Sequence, residues 1–336
     1  MPTVRRYAGL IEEGAFNESP APDAKFHIQI ASSTLDVPDD PNLSFEGGLY
    51  RGKTNKQPGY YVPAGNIVYP IDIRSFGYFI KWALGNYVFT DGGVGTNTHE
   101  IYGKEDNALP SFCAHIGKDG LGEHIFSGLI VNSVEITIES DYIILTVDCI
   151  GAKDKKATIK AIADLTLFTE NMLSFIDASI TFGGGDYNCK IKSMTLTIEN
   201  NVDSDSGKGI GSRFPCRLPV GARNVKFAGN LYFEDDTEYQ KYWGAATGPS
   251  DDGMSDEEIV ITIDSGTDGS IEFKIPKAVY NSLATPPSGR EEIIQAFTGE
   301  ALVEEVTLAD AVTKINTELL VTIESNNDDM DDDISS

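Results

Sequence analysis

Apolar and polar residues alternate with a period of two through most of this chain, which commits it to antiparallel strands with one face buried and one wet. In Val134-Glu-Ile136-Thr-Ile138-Glu the apolar residues share one face, and Glu135, Thr137 and Glu139 share the other. Ile143, Leu145, Val147 and Cys149 repeat the pattern after a short break at Ser140-Asp141, so the two segments predict a hairpin. The same alternation marks 194–199, 259–263, 271–275 and 319–323, and the Gly, Pro, Asn and Asp clusters between them read as turns. The fold class expected is therefore mainly β.

Two stretches read as short helices. The first takes Ser75 as N-cap, places Phe76, Phe79, Ile80, Ala83 and Leu84 on one face, and stops at Gly85. The second has Thr237 and Gln240 in capping-box spacing, Tyr239, Tyr242 and Trp243 on one side, and Gly244 as its stop. Each follows a strand directly, 68–73 and 225–233, about 160 positions apart. The first half reads as strand 26–31, hairpin 45–73, helix 75–84 and strands near 110–117, 126–139 and 142–149. The second reads as strands 190–199 and 224–233, helix 236–243 and strands near 258–264, 270–276, 291–298 and 318–324. The shared order predicts an N-terminal arm over 1–25, one module over 26–155, and a second module, or the second half of one domain, over 156–325. An acidic, disordered tail is expected over 326–336.

Charge narrows the function. With 26 basic and 52 acidic residues the net charge is −26, which argues against a nucleic-acid-binding surface built from clustered Lys and Arg. Residues 234–272 hold twelve acids and one base, Lys241. Opposite in sign is the hairpin Leu49-Tyr-Arg51-Gly-Lys53-Thr-Asn-Lys56-Gln-Pro-Gly-Tyr-Tyr61, with three bases and no acid. These signs read either as two solvated surface patches or as docking between copies, with Arg51, Lys53 and Lys56 as candidate contacts on the acidic belt of the next subunit.

Enzymatic constellations are thin. The four histidines, His27, His99, His115 and His124, show no metal-ligand spacing, and no G-x-S-x-G elbow accompanies them. Gly92-Gly-Val-Gly95 and Gly183-Gly-Gly185 lack the strand-to-helix context of a phosphate loop. Asp264, Asp268 and Glu272 could offer carboxylates to calcium, but the spacing departs from the calcium-loop pattern and a tight hairpin turn explains it better. Four dispersed cysteines suggest neither a zinc cluster nor a disulfide framework. The expectation is a non-enzyme without cofactors. No segment approaches the ~20 apolar residues of a membrane helix, and the N-terminus lacks an export-type apolar stretch, so synthesis in a cytoplasm is expected.

Several segments together resemble the tail tube, or major tail, protein of long-tailed viruses of bacteria and archaea. They are Pro63-Ala-Gly-Asn-Ile-Val-Tyr-Pro-Ile-Asp-Ile-Arg-Ser-Phe-Gly-Tyr-Phe-Ile-Lys-Trp-Ala-Leu-Gly85, Leu109-Pro-Ser-Phe112, Phe126-Ser-Gly-Leu-Ile-Val-Asn-Ser-Val134, Val147-Asp-Cys-Ile-Gly151 and Val225-Lys-Phe-Ala-Gly-Asn-Leu-Tyr-Phe-Glu-Asp-Asp236. The resemblance covers about 40–325 and rests on element order and hydrophobic spacing. It implies an antiparallel β-sandwich or half-barrel with flanking short helices, assembled into stacked rings around a lumen through which genome DNA leaves. It implies trimeric rings if each chain carries two tandem modules and hexameric rings if it carries one. Its further partners would be tail tip, tape measure and tail terminator proteins, and its place the virion tail. The long segment 45–73 would supply an inner-wall hairpin and ring-to-ring loop. The alternative is an extracellular carbohydrate-binding β-sandwich using Tyr60, Tyr61, Trp82 and Trp243 as a platform.

Overall fold

A computed structural model describes residues 6–38, 42–45, 53–93, 96–118, 120, 122–168, 170–233, 235–251, 255–284 and 293–331. The first part comprises strands β1 (Arg6–Glu12), β2 (Phe26–Ile28), β3 (Ser32–Ser33), β4 (Asn42–Phe45), β5 (Asn55–Pro58) and β6 (Ala64–Pro70), then helix α1 (Ile73–Leu84). There follow β7 (Gly85–Thr90), β8 (Asn97–Gly103), β9 (Phe112–Lys118), β10 (Gly122–Ile138), β11 (Ile144–Ile150) and β12 (Lys153–Ala157). The second part comprises β13 (Ala178–Phe182), β14 (Gly185–Asp186), β15 (Ile191–Glu199), β16 (Asn224–Tyr232), α2 (Thr237–Trp243), β17 (Glu257–Asp264) and β18 (Gly269–Ala284). It closes with β19 (Ile294–Ala301), β20 (Glu304–Thr307), β21 (Lys314–Thr317) and β22 (Leu320–Ser325).

The chain is mainly β and its pairing is antiparallel, as the alternation predicts. Ile259, Ile261 and Ile263 of β17 oppose Ile275, Phe273 and Ile271 of β18, and all six are buried. These cross-strand apolar pairs stabilise the sheet through the face they remove from water. Two strands are long because each serves two ladders. The first part of β10 pairs with β9 and β12, and the remainder with β11 and β15. The first part of β18 pairs with β17 and β22, and the remainder with β19. Both carry a register shift at an Asn-Ser pair, Asn132-Ser133 and Asn281-Ser282. Such an irregularity bends a strand and lets it leave one sheet for another.

The two halves share several features at a common spacing. Ala64-Gly65-Asn66 in β6 and Ala228-Gly229-Asn230 in β16 stand 164 positions apart, and so do the helix N-caps Asp72 and Asp236. A Cβ at Gly65 would meet the Thr34 carbonyl oxygen at 2.5 Å, and one at Gly229 would meet that of Ser193 at the same distance. Both glycines thus admit a preceding strand at close approach. In the first half the ladder runs β3–β6–β11–β10, and in the second β15–β16–β19–β18. Residues from both halves share one hydrophobic cluster.

The helix caps differ from the sequence reading. Helix α1 begins at Ile73, and its N-cap is Asp72, which accepts from the Arg74 and Ser75 amides at 3.0 and 2.7 Å. Ser75 lies inside the first turn and donates its hydroxyl to Asp72 at 2.5 Å. The carboxylate reaches two orphan amides, so it takes the cap that serine was expected to fill. Helix α2 is preceded by Asp236, which makes no side-chain cap bond, so the expected capping box at Thr237 and Gln240 is absent. Helix α1 is buried nearly all round, and Trp82 stacks on Phe112 with centroids 4.3 Å apart.

At both termini the described residues pack on the body, and 1–5 of the expected arm and 332–336 of the expected tail lie outside the described residues. In place of a free arm, residues 6–12 form β1, which pairs along its whole length with β9 and buries Tyr7, Ala8, Leu10 and Ile11. Both faces are covered, so no alternation announced it. In place of a disordered end, residues 326–331 lie against the body. Asn97 donates to the Asn327 carbonyl at 2.8 Å, Met330 is buried, and Asp331 ion-pairs with Lys81. That lysine also meets Glu12 at 3.0 Å.

Candidate assembly surfaces

Strands β4 and β5 form a separate two-stranded hairpin with Asn42 opposite Pro58. Of the three bases singled out, Lys53 and Lys56 are exposed on it, and Arg51 lies outside the described residues. The base of the hairpin is pinned. Tyr60 donates its hydroxyl to the Ser204 carbonyl at 2.7 Å, and the Tyr61 amide donates to the Arg213 carbonyl at 2.9 Å. Arg213 returns a bond to the Gly59 carbonyl at 3.1 Å and lies 5.1 Å from the Tyr61 ring centroid. Tyr61 also donates to Asp154. Burial first, and then this bond to Asp154, push the Tyr61 pKa well up, while burial followed by the nearby Asp205 raises that of Tyr60.

The pinning loop is a feature that sequence reading missed. Residues 200–223 lie between β15 and β16, as the hairpin segment lies between β3 and β6, and they hold Lys208, Arg213, Arg217 and Arg223 against Asp203 and Asp205. The two basic segments therefore meet at the hairpin base. The signal was available as four bases in 24 residues, but no local pattern joins them to Tyr60 and Tyr61.

The acidic belt is less uniform than its sequence suggests. Glu238 is buried and accepts from Tyr280 at 2.6 Å, from Lys241 at 3.0 Å and from Tyr187. Glu257 accepts from Lys241 at 2.8 Å and from Tyr280 at 3.1 Å. Burial raises the Glu257 carboxyl, against the lowering pull of Lys241. Burial pulls the Lys241 ammonium down, but its hydrogen bonds to Glu257 and Glu238 outweigh it and leave the pKa raised. Glu258 meets Lys274 at 2.9 Å, and Asp256 meets Lys277 at 3.9 Å. Part of the belt is thus an ion-paired girder at α2, Asp235, Asp236, Asp251 and Asp264 are exposed, and Glu234 and Asp252 lie outside the described residues.

The calcium candidate resolves into turn chemistry. Asp264 accepts from the Gly266 amide at 2.8 Å, Asp268 from the Asn171 amide at 3.0 Å, and Glu272 stands in the β18 ladder. Among the described residues, no group of three or more His, Cys, Asp or Glu is placed to hold a metal ion. The aromatic platform needed by a carbohydrate-binding module is also missing from the named residues. Trp82 is fully buried, Trp243 packs on Tyr239 at 5.3 Å, and Tyr60 and Tyr61 are occupied at the hairpin base.

The chain is mainly antiparallel β, with a separate two-stranded hairpin beside which Lys53 and Lys56 are exposed. The family described as phage tail tube protein matches residues 5–301, and the chain belongs to that family. Its place is therefore the virion tail, in a structural role. No curated protein matches the chain.

Proposed function

We propose that copies of this protein close into rings and that the rings stack into the hollow tail tube through which genome DNA is ejected into the host. The observation that carries this reading is the internal repeat within a tail tube chain, with caps and close-approach glycines in step. Two modules per chain make three copies equivalent to a ring of six single modules. Ring formation needs a head-to-tail interface whose rotation closes. Stacking is assigned to the β4–β5 hairpin: Arg51, Lys53 and Lys56 reach exposed carboxylates of the belt on the next ring. Tail tip, tape measure and tail terminator proteins are the partners at the tube's ends and in its lumen.

The net charge of −26 gives the lumen a repulsive wall for DNA phosphates. Screening reaches only about 8 Å at physiological salt, so in a narrow channel the repulsion survives. DNA then passes without base readout. Electron microscopy of the purified protein tests the assembly, with tubes or rings expected; a persistent monomer would overturn it. Replacing Arg51, Lys53 and Lys56 with Glu should shorten tubes and leave rings intact, and unchanged tube length and salt resistance would refute the hairpin's role. A neutral or basic inner wall in a map of the tube would refute the repulsion.

A further inference from the structure

Residues 158–177 run from β12 to β13 and connect the two halves of the chain. The first part of this linker buries little of its own surface: Ala161, Ile162, Ala163 and Asp164 are all exposed, Ile162 by 64%. Its hold on the body comes from a few named contacts. The Lys160 amide donates to the Tyr7 hydroxyl at 2.9 Å, and the Phe168 ring stacks on Phe26 with centroids 4.9 Å apart. Between these points His27 of β2 grips Thr166 twice. The His27 amide donates to the Thr166 carbonyl at 2.7 Å, and the Thr166 amide donates to His27 Nδ1 at 3.1 Å.

The second bond settles where the ring proton sits. Nδ1 accepts, so it carries no hydrogen, and the hydrogen of the neutral ring is on Nε2. Nε2 is buried and has no hydrogen-bond partner among the described residues, and His27 as a whole is 2% exposed. A second proton, added at Nδ1, would face the Thr166 N–H and place a cation in a buried site. The titratable groups around the ring come from several elements: Tyr7 of β1, its ring 5.6 Å away, His115 of β9, Glu123 of β10 and Lys160 of the linker. Glu123 is already engaged, accepting from Tyr7 at 2.5 Å and lying 3.2 Å from His115 Nδ1. Asp72 and Glu170 share a small cavity with His27, and Asp23 and Lys25 on the preceding segment are exposed to water.

We propose that His27 is an acid-sensitive clasp on the linker between the two halves: protonation at Nδ1 breaks the Thr166 bond and frees residues 160–168 while the sheets stay paired. The freed linker uncovers the faces of Phe26 and Tyr78 on which Phe168 stacks. Burial first, and then the Lys160 ammonium, lower the His27 pKa to about 4; Glu123 and the Thr166 backbone pull the other way and are outweighed. Because the folded value is the depressed one, the clasp is at full strength above the ordinary histidine value, weakens as pH falls below it, and is lost through the folded value. A locally open linker, in which His27 titrates at its ordinary value, therefore gains about a hundredfold in population between pH 7 and pH 4.

Hydrogen exchange of the full chain, read by mass spectrometry over this pH range and corrected for intrinsic exchange, tests the clasp. Protection of residues 160–168 should fall about a hundredfold on acidification while β1 and β9 keep theirs. His27→Gln offers the Thr166 amide a side-chain oxygen that does not titrate, so its linker protection should stay nearly flat with pH. An acid response that persists in His27→Gln, or none in the unsubstituted protein, would overturn the clasp. Ring NMR of the unsubstituted protein gives a reading that does not depend on the variant folding. His27 should carry its proton on Nε2 at neutral pH and titrate well below the ordinary histidine range; a proton on Nδ1, or an ordinary titration, would overturn the proposal.

Discussion

Replacing Lys241 with Met removes the cation shared by Glu238 and Glu257 and leaves two carboxylates facing each other at α2, with the Tyr187 and Tyr280 hydroxyls as donors among the described residues. Breaking a buried ion pair by removing one partner costs about 3–5 kcal/mol. Lys241 is 25% exposed at its side chain, so water relieves part of this, and a loss of about 3 kcal/mol is expected. With an unfolding entropy of about 2.1 cal/mol/K per residue, that lowers the melting temperature by ~4 °C for a chain of 336 residues. The pH dependence is the sharper check. Burial raises the Glu257 pKa in the folded protein, so the stability tied to this carboxyl is greatest at low pH and falls as pH rises through its folded value. In the wild type the Lys241 ammonium opposes that fall. Its own pKa is raised, so its contribution is complete below the ordinary lysine value and disappears only as pH rises through the folded one. The defect of Lys241→Met should therefore be largest near pH 8 and shrink on acidification as Glu257 protonates. Urea unfolding of the disassembled protein across pH 5–8 reads this out. A loss below about 1 kcal/mol, or one independent of pH, would show that the network is solvated and the reasoning wrong.

Other outcomes follow from the caps, the glycines and the tail. Asp72→Ala should cost about 1–2 kcal/mol in chemical denaturation, whereas Asp236→Ala should cost almost nothing because its side chain makes no cap bond. Gly229→Ala drives a Cβ into the Ser193 carbonyl and should destabilise by about 1–3 kcal/mol, read by thermal unfolding. Truncation before Met330 uncovers Gly77 and leaves Lys81 with Glu12 alone, so hydrogen exchange at the end of α1 should accelerate.

The sequence made the one-face-buried strands legible because period two is a direct image of a single buried face. The pairs Ile261–Phe273 and Ile136–Leu196 are of that kind. It failed where both faces are covered: β1 and the stretch Ile125–Val131 of β10 are buried on each side and show no alternation. The shared order of elements was visible in the sequence, whereas the equal distance at which Gly65 and Gly229 each admit a neighbouring strand was not. Among the candidate residues, Lys53 and Lys56 are exposed, and Arg51 lies outside the described residues. The support for their hairpin comes from residues 144 to 154 positions away, a separation no local pattern spans. The acidic run looked uniform because sequence does not reveal that Lys241 sits half-buried between two of its carboxylates.

The last strand of the chain, β22, is an interior one: it lies between β18 and β8 and buries Val321 and Ile323. Without β22, β8 and β18 would each present an open edge, and the two ladders that it joins would part.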